Sequence, residues 1–149
     1  NHLSIEQMIQ FIETPETDTV LGKRDRAILE LLYASGVRVS ELVGLNLTDI
    51  DFNHQTLRVK GKGRKERATP IRKDSIKLLR DWLAERKGKT DDPLFISNRG
   101  TRLSRDAVEG IVRRHVDTAS KTCKSFASRR TFFATARRCN SCTAASTAR

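Results

Sequence analysis

Between Lys23 and Ile71 the hydrophobic pattern changes from helical spacing to strict alternation, and glycines mark the changes. Helices and an antiparallel hairpin must therefore share one small unit. Lys23 to Ser35 places Ile28, Leu29, Leu31, Leu32 and Tyr33 on the inner face of a helix, and Gly36 suits the left-handed residue that ends it. Ser40 to Leu45 reads as a short helix after that turn. Ile50, Phe52, Thr56, Leu57 and Val59 alternate around Asn53-His54, which predicts two short strands. Gly61-Lys62-Gly63 makes the next turn, and Ala68 to Ile71 returns as a third strand.

The flanks are helical. Ser4 can cap a helix through Glu13 with Ile5, Met8, Ile9 and Ile12 as its apolar face, ended by Pro15. Asp74 to Lys87 is amphipathic, with Ile76, Leu78, Leu79, Trp82 and Leu83 inward. Pro93 to Ser97 reads as extended, Asn98-Arg99-Gly100 as a turn, and Ser104 as the cap of a helix reaching about Val116. The expected fold is mixed α+β, mainly helical, with a small antiparallel three-stranded sheet. From Lys121 the periodicity fails and Ser, Thr, Ala, Arg and Cys dominate, so the division expected is a folded unit over 1–120 and an irregular basic tail over 121–149.

A chain of 149 residues suffices for one domain with a real core. The formal charge of +11 is uneven, because residues 121–149 carry seven basic side chains and no acid. A basic excess points to nucleic acid once its arrangement agrees. No apolar run approaches the roughly 20 residues that span a bilayer and no signal peptide is visible, so the expectation is a cytoplasmic protein with no membrane partner. Cys139 and Cys142 form a lone Cys-x-x-Cys pair with neither a second pair nor a histidine at ligand spacing, which gives no metal site.

Two segments carry chemistry. In Gly36-Val37-Arg38-Val39-Ser40-Glu41-Leu42, one helical turn separates Arg38 from Glu41, close enough for the carboxylate to fix the guanidinium fork. Taken alone, such a pair reads first as an ordinary surface contact. The second segment, Val59-Lys60-Gly61-Lys62-Gly63-Arg64-Lys65-Glu66-Arg67, puts Lys62 between glycines at a hairpin tip, from which its ammonium could enter a DNA groove. Between Arg58 and Lys73 there are eight basic residues and one acid, more than edge protection of a sheet needs.

These motifs, in this order and with Leu47-Thr48-Asp49-Ile50-Asp51 between them, resemble the catalytic domain of tyrosine recombinases, the phage-integrase and Xer-like enzymes. The likeness covers residues 3 to 120 and implies the first two thirds of that domain. It implies Arg38 as the first catalytic arginine, Lys62 as proton donor to a leaving oxygen, and Glu41 as an accessory that positions groups. Lys60, Arg64, Lys65 and Arg67 would contact phosphates of double-stranded DNA, placing it without choosing its sequence. Asn98, Arg99, Arg102 and Arg105 could extend that surface or form a solvated turn. In the family the reaction needs no metal or nucleotide cofactor, passes through a 3′-phosphotyrosine, and is run by a homo-oligomer assembled on DNA.

The family also requires a His-x-x-Arg box, a further histidine or tryptophan, and a tyrosine nucleophile after the hairpin. Tyr33, the only tyrosine, precedes Arg38 and lies on an apolar helix face. Reading the codons of residues 128–148 one base out of register permits Ser-Pro-His-x-Leu-Arg-His-Ser, which resembles the missing box. We therefore expect a frameshift between about Lys124 and Ser128, which leaves Arg129, Arg130, Cys139 and Cys142 without a role. The in-frame alternative takes Thr131-Phe132-Phe133-Ala134-Thr135 as the family's Phe-Ala-Thr segment and Arg130 as the second arginine.

The function expected is site-specific DNA recombination or integration by resemblance, with this stretch inactive alone. A catalytically dead DNA-binding module and a non-functional product of a decayed gene are the alternatives. An RNA-binding role is disfavoured because aromatics do not interleave the basic residues. Without closing helices, the faces of Ile28, Leu32, Leu79 and Val112 are expected to be partly uncovered and the protein marginally stable.

Overall fold

The computed structural model of the chain describes residues 4–61, 63, 65–86 and 93–122. Lys62 and Arg64, and all three cysteines with the rest of residues 123–149, lie outside them. Helix α1 (Ile5–Ile12) starts at a capping box, in which Ser4 Oγ accepts from Gln7 N while Gln7 Oε1 accepts from Ser4 N. Its inner stripe is Met8, Phe11 and Ile12, all buried. The expected face was rotated from this: Ile5 and Ile9 are 68% and 46% exposed, because Phe11 rather than Ile9 turns to the core. The wide apolar content of the helix supports either face, and tertiary packing selects one.

Helix α2 (Val20–Glu30) begins three residues earlier than its apolar periodicity suggests, because Thr19 caps it by accepting from Gly22 N. Gly22 is obligatory here. A Cβ at this position would lie 1.6 Å from the Glu16 carbonyl oxygen, so the preceding loop can cross the helix only over a glycine. The helix continues as a wider turn over Leu31–Ser35 and ends at Gly36, whose φ of 63° is the left-handed conformation expected of it. Helix α3 (Val39–Val43) follows directly, with Arg38 as its N-cap residue.

A short turn, Leu47–Asp49, leads into the sheet of β1 (Ile50–Asp51), β2 (Thr56–Lys60) and β3 (Glu66–Pro70), antiparallel throughout in the order β1-β2-β3. Ile50 pairs with Leu57, and Val59 with Arg67. Leu57 and Val59 face inward while Arg58 and Lys60 face solvent, which is the period-two alternation of a half-buried strand. Helix α4 (Lys73–Glu85) buries Ile76, Leu79 and Trp82; the indole Nε1–H donates to Leu94 O at 3.0 Å. Pro93 and Ile96 make isolated bridges to Asn46 and Arg102.

Helix α5 (Arg105–Thr122) is capped by Ser104 and runs well beyond the expected end near Val116. Lys121 and Thr122, assigned above to an irregular tail, are therefore helical. Val116 and Ala119 are buried beyond Val112, so the inward stripe persists through small and polar neighbours that hide it in the sequence. One contiguous core joins α1, α2, the sheet, α4 and α5. Ile28, Leu32, Leu79 and Val112 are all buried in it, which corrects the expectation that these faces would be uncovered.

Candidate active site

Glu41 organises the site. Its carboxylate is buried, Oε1 accepts the Arg38 backbone N–H at 3.0 Å, and the Arg67 guanidinium grips both oxygens, Nη1 on Oε2 at 2.7 Å and Nη2 on Oε1 at 3.2 Å. The expected contact between Glu41 and the Arg38 fork is replaced by this arrangement. Arg38 stands in the extended conformation at the N-cap, so its backbone meets Glu41 while its side chain is exposed. The partner of the carboxylate comes instead from β3, across the sheet edge.

The same device recurs one turn later. Asp49 is buried, its Oδ2 accepts Asn46 N at 2.9 Å, and Arg58 of β2 reaches its Oδ1 at 3.2 Å. In both cases a carboxylate caps a short turn through an N–H three residues back and neutralises a sheet arginine. Arg58 and Arg67 are thus held by carboxylates, and the excess of basic residues on the hairpin is smaller than its composition suggests.

What remains is a cleft of about 650 Å³ between α3 and the hairpin, lined by Arg38, Ser40, Glu41, Lys60, Gly61, Lys65, Glu66 and Arg67. The hairpin closes with Gly61 N donating to Lys65 O at 2.8 Å, and Gly63 takes a φ of 76° at the tip, as the glycines around Lys62 predict. Among the described residues no carboxylate pairs with Arg38, Lys60 or Lys65. Three cations on a concave wall, with a fourth held at its base, can accept a phosphodiester and offset charge on its non-bridging oxygens.

Other titratable groups stand elsewhere. Tyr33 is half-buried against the core and faces a separate groove with Ile12, Arg26 and Leu78, so it cannot act in this cleft. His54 is exposed and bonded to Asp51, whose carboxyl is held below its usual range chiefly by the His54 backbone N–H and ring. His115 belongs to a cluster that the sequence reading missed. Asp25, 3% exposed, accepts from Arg24 through Oδ1 and from Arg114 and His115 through Oδ2, both at 2.9 Å. Burial alone pushes Asp25 up, but hydrogen bonding from His115 and the charge and bonding of Arg24 outweigh it and hold the carboxyl below its ordinary value. The lone acid in Lys23-Arg24-Asp25-Arg26, just before the apolar Ala27-Ile28-Leu29, was the available signal. This cluster ties α2 to α5. Arg102 and Arg105, considered above for the DNA surface, are engaged too: Arg105 pairs with Glu109, and Arg102 donates to Val43 O, Leu45 O and Asn46 Oδ1.

Comparison with known proteins agrees with this geometry. The tyrosine recombinase XerC of Pelobacter propionicus is 47% identical over 116 residues, which are 77% of this chain and 38% of that protein. XerC of Myxococcus xanthus is 42% identical over 129 residues, 81% of this chain and 42% of the relative. The chain therefore spans about two fifths of the length of these curated relatives. Among solved structures, the XerH site-specific recombinase bound to its difH substrate, in a pre-cleavage complex, superposes with a TM-score of 0.73 at 26% identity, over 91% of this chain and 40% of that one. The XerA recombinase gives 0.72 at 25% identity over 89% and 47%. The family model described as the phage integrase family matches residues 1–137. With the helix-borne arginine, the buried glutamate and the basic hairpin assembled on one cleft, and a match over most of its length, the chain belongs to the phage integrase family of tyrosine recombinases.

Proposed function

We propose that this stretch is the phosphate-gripping part of a recombinase catalytic domain acting on double-stranded DNA, and that by itself it binds DNA without cutting it. The observation that carries the reading is the cleft that the exposed Arg38 lines together with Lys60 and Lys65, beside the buried Glu41 carboxylate and the half-exposed Arg67 that grips it. In the reaction, a tyrosine hydroxyl attacks the scissile phosphorus and the bond to the 5′ oxygen breaks. A 3′-phosphotyrosine and a free 5′-hydroxyl result, and attack by a 5′-hydroxyl reverses the step. Arg38 offsets the charge that grows on the non-bridging oxygens, Lys62 gives its proton to the departing 5′ oxygen, and Glu41 holds the Arg38 backbone in place. Lys60, Arg64 and Lys65 place the flanking backbone, with Arg67 contributing from its pair with Glu41. These 149 residues offer no tyrosine to that cleft, since Tyr33 faces another groove.

Purified protein incubated with duplex DNA and run on a denaturing gel tests this. Binding in solution without a covalent adduct is expected. An adduct abolished by Tyr33→Phe would overturn the assignment of Tyr33 to the core and of the stretch as non-cleaving. For the segment after Thr122 we retain the frameshift reading, with residues 1–120 as partial catalytic domain. The in-frame alternative takes Arg130 as the second arginine. Sequencing the encoding DNA beyond codon 149 separates them: a shifted frame that continues through a His-x-x-Arg box and a tyrosine supports the frameshift, and one that closes at once supports the in-frame tail.

A further inference from the structure

Helix α3 is only five residues long, far below the length of roughly 12–15 residues at which a helix holds itself in water. Its orientation therefore depends on what grips its ends. The N-terminal end is held through Glu41 and Arg67, as described. The C-terminal end, where carbonyls lack intrahelical partners, is met by a side chain from 59 residues away: Arg102 Nη1 donates to Val43 O at 2.8 Å and to Leu45 O at 3.2 Å, and Nη2 donates to Asn46 Oδ1. A guanidinium suits this place twice over, by filling several acceptors at fixed angles and by putting positive charge at the negative end of the helix.

Arg102 is itself anchored. It pairs with Ile96 in a two-residue bridge, and Leu94 N donates to the same Leu45 carbonyl at 3.0 Å. The segment 93–102 thus forms a bracket under the end of α3. Because Arg38 is the N-cap residue of this helix, a tilt of α3 displaces the origin of the Arg38 side chain. Because the helix is one and a half turns long, its far end is an effective lever.

We propose that Arg102 is a positioning residue for Arg38, acting through the C-terminal end of α3 and not by touching DNA. The proposal rests on the reading of Arg38 as a phosphate ligand. It differs from a place for Arg102 in the DNA-binding surface, since its donors are directed to the Val43 and Leu45 carbonyls and to Asn46 Oδ1. A displaced Arg38 reaches a phosphate less well, so loss of Arg102 should weaken DNA binding only while Arg38 is present.

A double-mutant cycle tests this with the whole chain and a fluorescent DNA duplex of mixed sequence, followed by anisotropy across a salt series. Arg38→Ala is expected to weaken binding about three- to tenfold and to lower the log–log salt slope by about one. Arg102→Met should do nearly as much in the parent, and change affinity less than about twofold once Arg38 is alanine, with no further fall in slope. Equal losses in both backgrounds would make Arg102 a direct phosphate ligand and overturn the proposal, as would wild-type affinity in Arg102→Met. If Arg38→Ala itself has no effect, the reading of Arg38 falls, and the proposal with it. Arg102→Gln, which keeps one donor group, replaces Arg102→Met if that variant does not fold, with the same expected and contrary results.

Discussion

Glu41 shows how one side chain can serve both stability and site geometry. It is 9% exposed and both its oxygens are hydrogen-bonded, Oε1 by Arg38 N and Arg67 and Oε2 by Arg67. Arg67 is itself half-exposed, so solvent screens part of the pairing, and Arg67→Met should cost about 1–2 kcal/mol in urea unfolding, whereas the exposed Lys65→Met should stay within about 0.5 kcal/mol. Equal small effects would mean that the pair is a surface contact. The i, i+3 spacing of Arg38 and Glu41 was legible, and so was the turn that brings them together. The partner of the carboxylate was not legible, because Arg67 lies 26 residues on and only the strand register carries it there.

Asp25 gives a pH test at the same scale. Its folded carboxyl is held below the ordinary value while the unfolded chain titrates near 3.9, so the folded state favours the ionised form. That contribution is complete above about pH 4 to 5 and is lost as the pH falls through the lower, folded value. Asp25→Asn should therefore destabilise the protein by about 2–4 kcal/mol at neutral pH, since Arg24 loses its buried partner, and the gap to the parent should narrow below about pH 4. Urea unfolding of both proteins between neutral and acid pH checks this. A gap that is constant or grows with acid would contradict it.

Among the elements, those marked by capping and glycine chemistry were readable from the chain. Ser4, Gly36 and Ser104 mark ends that the structure reproduces, and the hairpin strands follow from period-two alternation. The misjudged features are those set by packing: which stripe of α1 turns inward, where α2 begins, and how far α5 runs. Gly22 is the sharpest case. In the sequence it is a weak point near the start of a helix, yet in the structure the Glu16 backbone occupies the space of its side chain. Gly22→Ala is expected to lower stability by about 1–3 kcal/mol, despite alanine's better helix propensity. A thermal melt showing an unchanged or raised midpoint would mean that the loop before α2 yields freely.

For the whole molecule, the described residues share one core, with Trp82, Phe11 and Met8 fully or almost fully buried. That core presents α3 and the hairpin as two walls of one cleft, lined by Arg38, Lys60 and Lys65 among others. The family and the Arg38–hairpin pairing were legible because both motifs are local in sequence. The brackets that hold them, Arg67 on one side and Arg102 on the other, were not, because each is a lone arginine whose meaning depends on distant backbone.

The most direct measurement is DNA affinity of the whole protein and of Arg38→Ala as a function of salt, by anisotropy with a labelled duplex. The account predicts binding that weakens steeply with salt, and a slope for Arg38→Ala lower by about one phosphate's worth, roughly 0.9 in log–log units. Affinity independent of salt, or an Arg38→Ala variant that matches the parent throughout, would contradict the cleft's assignment as a phosphate grip.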